Sequence, residues 1–451
     1  MRSAENVFIG FGKAAKTLAF KMAQRGESVI VIEANDRMYG GTCINVACIP
    51  SKLLYELSGR LILGGEATNY HQAIMQKRSV IGQLRYSNFH KLADLPPVTI
   101  LNGSATFIDT HTVHVTYNNG TEEDIAGQRI FINTGSKQVM PDIDGIDSHF
   151  VTTSETLMEQ DRLPKELVII GGGYIALEFA TTYSEFGSKV TILDRNHQFM
   201  PHDEPEFSDE IRADFNDRGI TIISDATVNQ IIDEQDRAAI YVSVAGEKRV
   251  IYADTILAAT GRHANIDQLN LPAAGVKTNE RGVIVDDHLH TNVRHIWALG
   301  DVRGGAQFTY ISLDDHRIVL DELYGGGEKS LQEQKLVPHV LFVKPAYATI
   351  GLDEPTAKAQ GIHYRVARFQ VKGSPKAHIL GNARGTYKAL VDDSDYIIGA
   401  TLYAVASYEV INILSMAMHN HIKYQQVRDQ IYAHPTMSEA LNDLFDTVAP
   451  L

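Results

Sequence analysis

Two cysteines occur in the 451-residue chain, Cys43 and Cys48, five positions apart in the stretch GGTCINVACIPSK. Two thiols can carry two electrons as a disulfide, help hold a metal, or lie buried and inert. A structural zinc site takes about four ligands, and no histidine pair stands nearby at a suitable spacing. On an ideal helix residues i and i+5 lie roughly 8.6 Å apart at Cα, whereas a disulfide tolerates about 4.4–6.8 Å. The pair can therefore bond only where the chain leaves the helix, and Gly40, Gly41 and Pro50 supply that irregularity. A bond made under such constraint is readily reduced. If a helix runs on from Cys48, Lys52 lies one turn along on the same face, where its ammonium favours a Cys48 thiolate. Buried thiols without a redox role are the alternative at this level.

Near the other end, YAHPTMSEALNDL places Glu439 five residues after His434. That is a spacing at which a carboxylate can orient an imidazole as acid or base. The chain has 18 histidines, so the local pattern alone leaves this role open.

The elements that must position these groups come from an internal repeat. NVFIGFGKAAKTLAFKMAQRGESVIVIE runs strand, Gly-rich turn, amphipathic helix, strand, acid, and residues 167–194, LVIIGGGYIALEFATTYSEFGSKVTILD, follow the same plan. Gly10, Gly12, Ala15 and Glu33 match Gly171, Gly173, Ala176 and Asp194 position for position. In a dinucleotide-binding turn the first glycine makes the bend and the second admits the pyrophosphate. The small third residue lets helix and strand pack, and the acid accepts ribose hydroxyls. Two such units imply two dinucleotides, and a flavin with a nicotinamide is the pair that exchanges hydride.

IFINTGS (130–136) and TILAATGR (255–262) are buried-strand patterns ending in Thr-Gly turns, where the chain could cross between domains. IWALGDVRGG brings Gly300 and Asp301 to a strand end, where a carboxylate could meet a ribityl hydroxyl. After a Gly-rich polar linker (GGGEKSLQEQK), four stretches read as strands, and SYEVINILSMAMHNHIKYQQVRDQI reads as one helical stretch. Its stripe of Val410, Ile411, Leu414 and Met418 suits a core and, in part, a subunit contact. The expected fold is α/β: two Rossmann-like dinucleotide-binding domains (1–145 with 263–335, and 146–262) plus an α+β domain (336–451) suited to assembly.

Composition narrows the partners. A net charge of −14 argues against nucleic acid or an anionic membrane surface. The apolar run at the N-terminus is short for a signal peptide, and no run nears the ~18 residues that span a bilayer. The expected compartment is the cytoplasm, where structural disulfides are rare.

GGTCINVACIPSK, GGGYIALEFA, ATGR, WALGDV and HPTMSE, in this order, resemble the class I flavoprotein disulfide reductases, among them glutathione reductase, dihydrolipoyl dehydrogenase and mercuric reductase. GFGKAAKTLA, NFHKLADLP, GGAQFTYISLDDHRIV and DQIYAHPTMSEALNDLF are similar to the Rcl-type flavoproteins, the bacterial hypothiocyanous acid reductases. This resemblance implies FAD in the first domain, NAD(P) in the second and dimerisation through the third, with NADH or NADPH as donor and a catalytic set of Cys43, Cys48, Lys52, Glu178, His434 and Glu439. Cys43 would meet substrate and Cys48 the flavin, with Lys52 and Glu178 flanking the flavin's reactive edge. His434 and Glu439 would complete the other subunit's site in an obligate homodimer. For FAD it implies Gly10, Gly12, Ala15, Glu33, Gly41, Thr42 and Lys52, then Ala105, Thr134, Gly135, Gly300, Asp301, Phe308 and Thr309. For NAD(P)H it implies Gly171, Gly173, Tyr174, Ile175, Glu178, Asp194 and Gly261, with Tyr174 shielding the flavin until nicotinamide enters.

Departures sharpen this. Ala47 stands where the family usually has Gly, and the extra thiols of mercuric and high-molecular-weight thioredoxin reductases are missing. Asp194 favours NADH by repelling a 2′-phosphate, while Arg195 beside it could accept one. The expected activity is reduction of hypothiocyanous acid to thiocyanate through the Cys43–Cys48 disulfide, without a metal. Lipoamide chemistry, copper(II) reduction, or a redox sensor that does not turn over are the alternatives.

Overall fold

The computed structural model describes residues 1–59 and 70–449. The chain divides into two compact units, one of residues 1–141, 152–162 and 260–334, the other of 142–151, 163–259 and 335–451.

In the first unit, β1 (Arg2–Ile9) lies between two parallel neighbours, β2 (Val29–Glu33) and the end of β5 (Glu122–Ile132). β2 in turn pairs in parallel with the start of β3 (Val98–Phe107), and strand Ile296–Ala298 closes the other side against β5. The far half of β3, with β4 (Thr112–Tyr117) and the near half of β5, forms an antiparallel meander. Val7, Phe8, Val31 and Phe131 are fully buried, as strands covered on both faces require. Phe8, Phe131 and Trp297 stack across adjacent strands, with ring centroids 4.5 and 5.0 Å apart. Helix α1 (Lys13–Gln24) buries Ala14, Ala15, Leu18, Ala19 and Met22, a one-sided stripe at helical period.

In the second unit, strands Thr221–Ile223, Lys189–Leu193, Glu166–Ile170 and Thr255–Ala258 pair in parallel, in that order. Helix Tyr174–Phe186 follows the Gly-rich turn, and a separate antiparallel sheet spans Ala226–Ala253. The C-terminal part is a five-stranded antiparallel sheet under helices Ser407–His419 and Ala440–Asp446. The single long helical stretch expected after residue 406 is interrupted: the first helix stops at His419, His421 takes φ +50°, and a second runs Tyr424–Arg428. Val410, Ile411, Leu414 and Met418 all lie in the core of this unit, so the expected share in a subunit contact falls away for that stripe. Among the described residues no helix is long and apolar enough to cross a membrane.

Candidate active site

The cysteine segment leaves the helix where the bond requires it. Helix α2 (Thr42–Asn45) ends in Val46 at φ −139°, and α3 (Cys48–Gly59) begins at Cys48. Pro50 falls in the first turn of α3, where its missing N–H would have had no helical acceptor. Gly40 and Gly41 precede α2 at φ +100° and +82°, and a Cβ on Gly41 would lie 2.9 Å from the Cα of Gly12. A side chain there would push the cysteine segment off the first Gly-rich turn. Cys43 and Cys48 are both thiols, in hydrogen-bond contact with each other. That contact and burial push Cys43 well above the ordinary thiol range, while Thr309 and Lys16 pull it back. The Thr309 hydroxyl, at the start of helix Thr309–Tyr324, stands 3.5 Å from Cys48 Sγ. Lys52 lies on α3, one turn beyond Cys48.

The two Gly-rich turns share a backbone scheme. Gly10 N–H donates to Ile32 O at 2.8 Å and Gly171 N–H to Leu193 O at 2.9 Å. Lys16 N–H bonds Gly12 O, as Leu177 N–H bonds Gly173 O. Asn133 N–H bonds Ile9 O, and Ala259 N–H bonds Ile170 O, both at 2.8 Å. The strand ends INTG and AATG are therefore equivalent, with Asn133 matching Ala259. Sequence reasoning missed Asn133, although aligning the two Thr-Gly turns would have marked it. Its Oδ1 accepts from Ala15 N–H at 3.1 Å and its Nδ2 donates to Leu299 O at 2.5 Å. Cβ atoms on Gly10 and Gly12 would lie 2.4 Å from its backbone oxygen and 2.3 Å from its Oδ1.

Around this turn, Glu33 accepts from the N–H groups of Phe11 (2.9 Å) and Asn35 (3.1 Å), and burial raises its pKa. Asp301 accepts from the Ser136 hydroxyl at 2.8 Å, and burial raises its pKa too. Thr134 donates to Asn265 O, Gly135 has φ +72°, and Gly300 N–H donates to the Asp315 carboxylate. Ala105 is buried in β3, and Phe308 stacks on Tyr310 before Thr309.

The second turn is more open. A Cβ on Gly173 or Gly261 would meet nothing within 4 Å; the helix that carries Ile175 starts, like α1, from a glycine without a capping side chain. Asp194 is 1% exposed; its Oδ1 accepts from Asn196, while Oδ2 is buried with no partner among the described residues, facing Gly172. Tyr174 donates to Asp203 at 2.8 Å, a tether with no signal in the sequence reading. Glu178 accepts from Phe342 N–H at 3.1 Å. Further along the same unit, His434 Nδ1 meets Glu439 Oε2 at 2.8 Å. Its ring stays 69% exposed, and Glu439 Oε1 is buried without a partner among the described residues.

Residues 5–315 match the family model described as pyridine nucleotide-disulphide oxidoreductase, and residues 337–445 match that family's dimerisation domain. The chain is 42% identical to the probable pyridine nucleotide-disulfide oxidoreductase RclA of Escherichia coli strain K12, over 99% of this chain and 100% of that one. It is 31% identical to a mercuric reductase of Lysinibacillus sphaericus, over 96% of this chain and 81% of the relative. A solved copper(II) complex of the HOCl-induced flavoprotein disulfide reductase RclA from Escherichia coli superposes with a TM-score of 0.95 at 41% identity, covering 100% of both chains. With its paired Gly-rich turns and adjoining thiols, this chain belongs to the pyridine nucleotide-disulphide oxidoreductase family.

Proposed function

We propose that the protein is a cytoplasmic, homodimeric, FAD-dependent NAD(P)H oxidoreductase that reduces hypothiocyanous acid to thiocyanate through Cys43 and Cys48. The observation that carries this reading is the contact of two thiols across a helix break, with the Thr309 hydroxyl beside Cys48. The residues present fit two dinucleotides. The buried, unpartnered Asp194 Oδ2 is an acceptor awaiting a hydroxyl, and Gly173 leaves open space where a phosphate would approach. Gly10, Gly12, Glu33, Gly41, Thr42, Gly300 and Asp301 would hold FAD, and Gly171, Gly173, Tyr174, Asp194 and Gly261 the nicotinamide nucleotide. When bound, a flavin accepts hydride from the nicotinamide and passes the electron pair to a disulfide.

The chain's own thiols do the rest. Cys43, as thiolate, attacks the sulfur of hypothiocyanous acid, forming a Cys43–SCN bond and expelling hydroxide, which leaves as water once protonated. Cys48 then attacks the Cys43 sulfur; the bond to SCN breaks, thiocyanate departs with its electron pair, and the disulfide forms. The acceptor gains the two electrons the dithiol loses. His434, oriented by Glu439, takes up the thiol proton of the partner subunit's pair, which suits its exposed ring. Asp194 favours NADH over NADPH. The similar Escherichia coli flavoprotein is described as HOCl-induced, in line with an electrophilic oxidant as acceptor. Its copper(II) complex makes copper(II) the second reading.

Replacement Cys43→Ser is expected to leave flavin bound and lower turnover with hypothiocyanous acid by at least ~10³-fold. Unimpaired turnover would sink the scheme. Parallel assays with lipoamide, glutathione disulfide, copper(II) and mercury(II), using NADH and NADPH in turn, rank the acceptors; a faster rate with any of these displaces hypothiocyanous acid.

A further inference from the structure

Among the described residues three lysines are buried: Lys16, Lys77 and Lys388. Two have carboxylates. Lys77 pairs with Glu159, and Lys388 sits among Glu204, Glu206 and Glu354, filling that acidic cluster with its own ammonium. Lys16, on α1 and 9% exposed, has among the described residues only neutral oxygens: Oδ1 of Asn88, on the helix α4 (Tyr70–Ala93), and Gly40 O at 3.5 Å. A buried cation without a counter-ion is unfavourable and calls for a reason. The repeat shows that the fold does not supply one. The equivalent position in the second unit, marked by the same N–H bond to the second glycine, is Leu177, fully buried.

The surroundings do supply one. Gly40 begins the segment that carries Cys43, and a Cβ built on it would lie 2.8 Å from Cδ1 of Ile44 and 3.4 Å from Cγ of Asn88. Lys16 and Asn88 therefore grip the cysteine segment from behind. Among the described residues the titratable groups that act on the amine are Lys13 on its own helix, Lys91 on α4 and Cys43; the first two repel it and the third attracts it.

We propose that Lys16 is a positioning residue whose buried ammonium, with Asn88, supplies the missing counter-charge for the Cys43 thiolate and so sets that thiol's reactivity. This rests on reading Cys43 as the exchanging thiol. Burial lowers Lys16 to about 8, so the support weakens as pH rises through that value. No group transfer is involved: the thiol proton leaves and the thiolate faces a cation that stays in place.

The test reads the thiol, independently of any acceptor. In holoenzyme carrying Cys48→Ser, Cys43 is the one remaining cysteine. Its alkylation by iodoacetamide is followed against pH, beside flavin absorbance and melting. Lys16→Met is expected to slow alkylation about tenfold near neutral pH and to raise the midpoint by about one pH unit. Lys16→Arg, permanently charged, is expected to keep the fast rate and hold it on the alkaline side of 8, where lysine loses its proton. A Lys16→Met profile that superimposes on the parent, with flavin retained, overturns the proposal. If Lys16→Met loses flavin, coincident alkaline limbs for Lys and Arg overturn it instead. Either failure leaves the outcome of the Cys43→Ser turnover assay untouched, so the two readings fall separately.

Discussion

The first and second Gly-rich turns share a backbone and differ in what fills them. In the first, Asn133 occupies the space beside Gly10 and Gly12 and ties helix α1 to two strand ends. Glu33 there already accepts two backbone N–H groups. In the second, Ala259 replaces Asn133, Gly173 faces open space and one oxygen of Asp194 has no partner. The second glycine is thus a packing requirement in one copy and an approach path in the other. The first turn is braced and the second is left open, a contrast that suits the proposed function, in which one dinucleotide is held and the other exchanges. One motif serves two physical purposes, and the residue that separates them, Asn133 in one copy and Ala259 in the other, lies outside both motifs on a strand end that meets each turn in space.

Exchanging glycines tests that contrast most strongly. Gly12→Ala should destabilise the first unit by about 2–3 kcal/mol through the clash with Asn133 and yield protein poor in flavin, measured by melting and by flavin absorbance. Adding Asn133→Ala should recover part of the loss if that side chain is the obstacle.

The helices behind the turns give the next effect. Lys16→Met makes the first helix resemble the second, where Leu177 stands. The folded chain disfavours the ammonium, with a pKa of about 8 against the ordinary 10.5. The stability contribution of the neutral amine is therefore fully present above the unfolded value and lost as pH falls through about 8. Lys16→Met should gain on the order of 2 kcal/mol near neutral pH and nothing at strongly alkaline pH, measured by denaturant melts across that range.

Asp194→Asn should weaken NADH binding by about 1 kcal/mol, roughly fivefold, with flavin content unchanged, measured by titration of the holoenzyme. Gly173→Ala should leave melting unchanged, because the added methyl meets nothing, and should act on nucleotide binding alone. A loss of stability in Gly173→Ala as large as in Gly12→Ala would break the comparison.

Much of this was legible in the residues. The repeat announced two strand–turn–helix units because alternating buried strands, glycines and an acid recur at one spacing. The break between α2 and α3 followed from the reach of a disulfide. The stretch after residue 406 reads as one helix because Met418 and Ile422 keep the apolar spacing, whereas the backbone leaves the helix at the polar Asn420 and His421 between them. Lys16 was invisible for another reason: on an amphipathic helix a lysine reads as surface, and only packing against Asn88 and Gly40 buries it.

The sequence by itself determined the chemistry on offer: two thiols too far apart for a regular helix, two dinucleotide turns, and a histidine within reach of an acid. These depend on local geometry and residue type, which short spacings specify. Only the tertiary structure decided what fills the space beside each glycine, which carboxylate oxygen lacks a partner, and that one buried amine meets no counter-charge among the described residues. Those depend on strand ends and helices brought together across long stretches of chain, and no local pattern encodes which neighbour arrives.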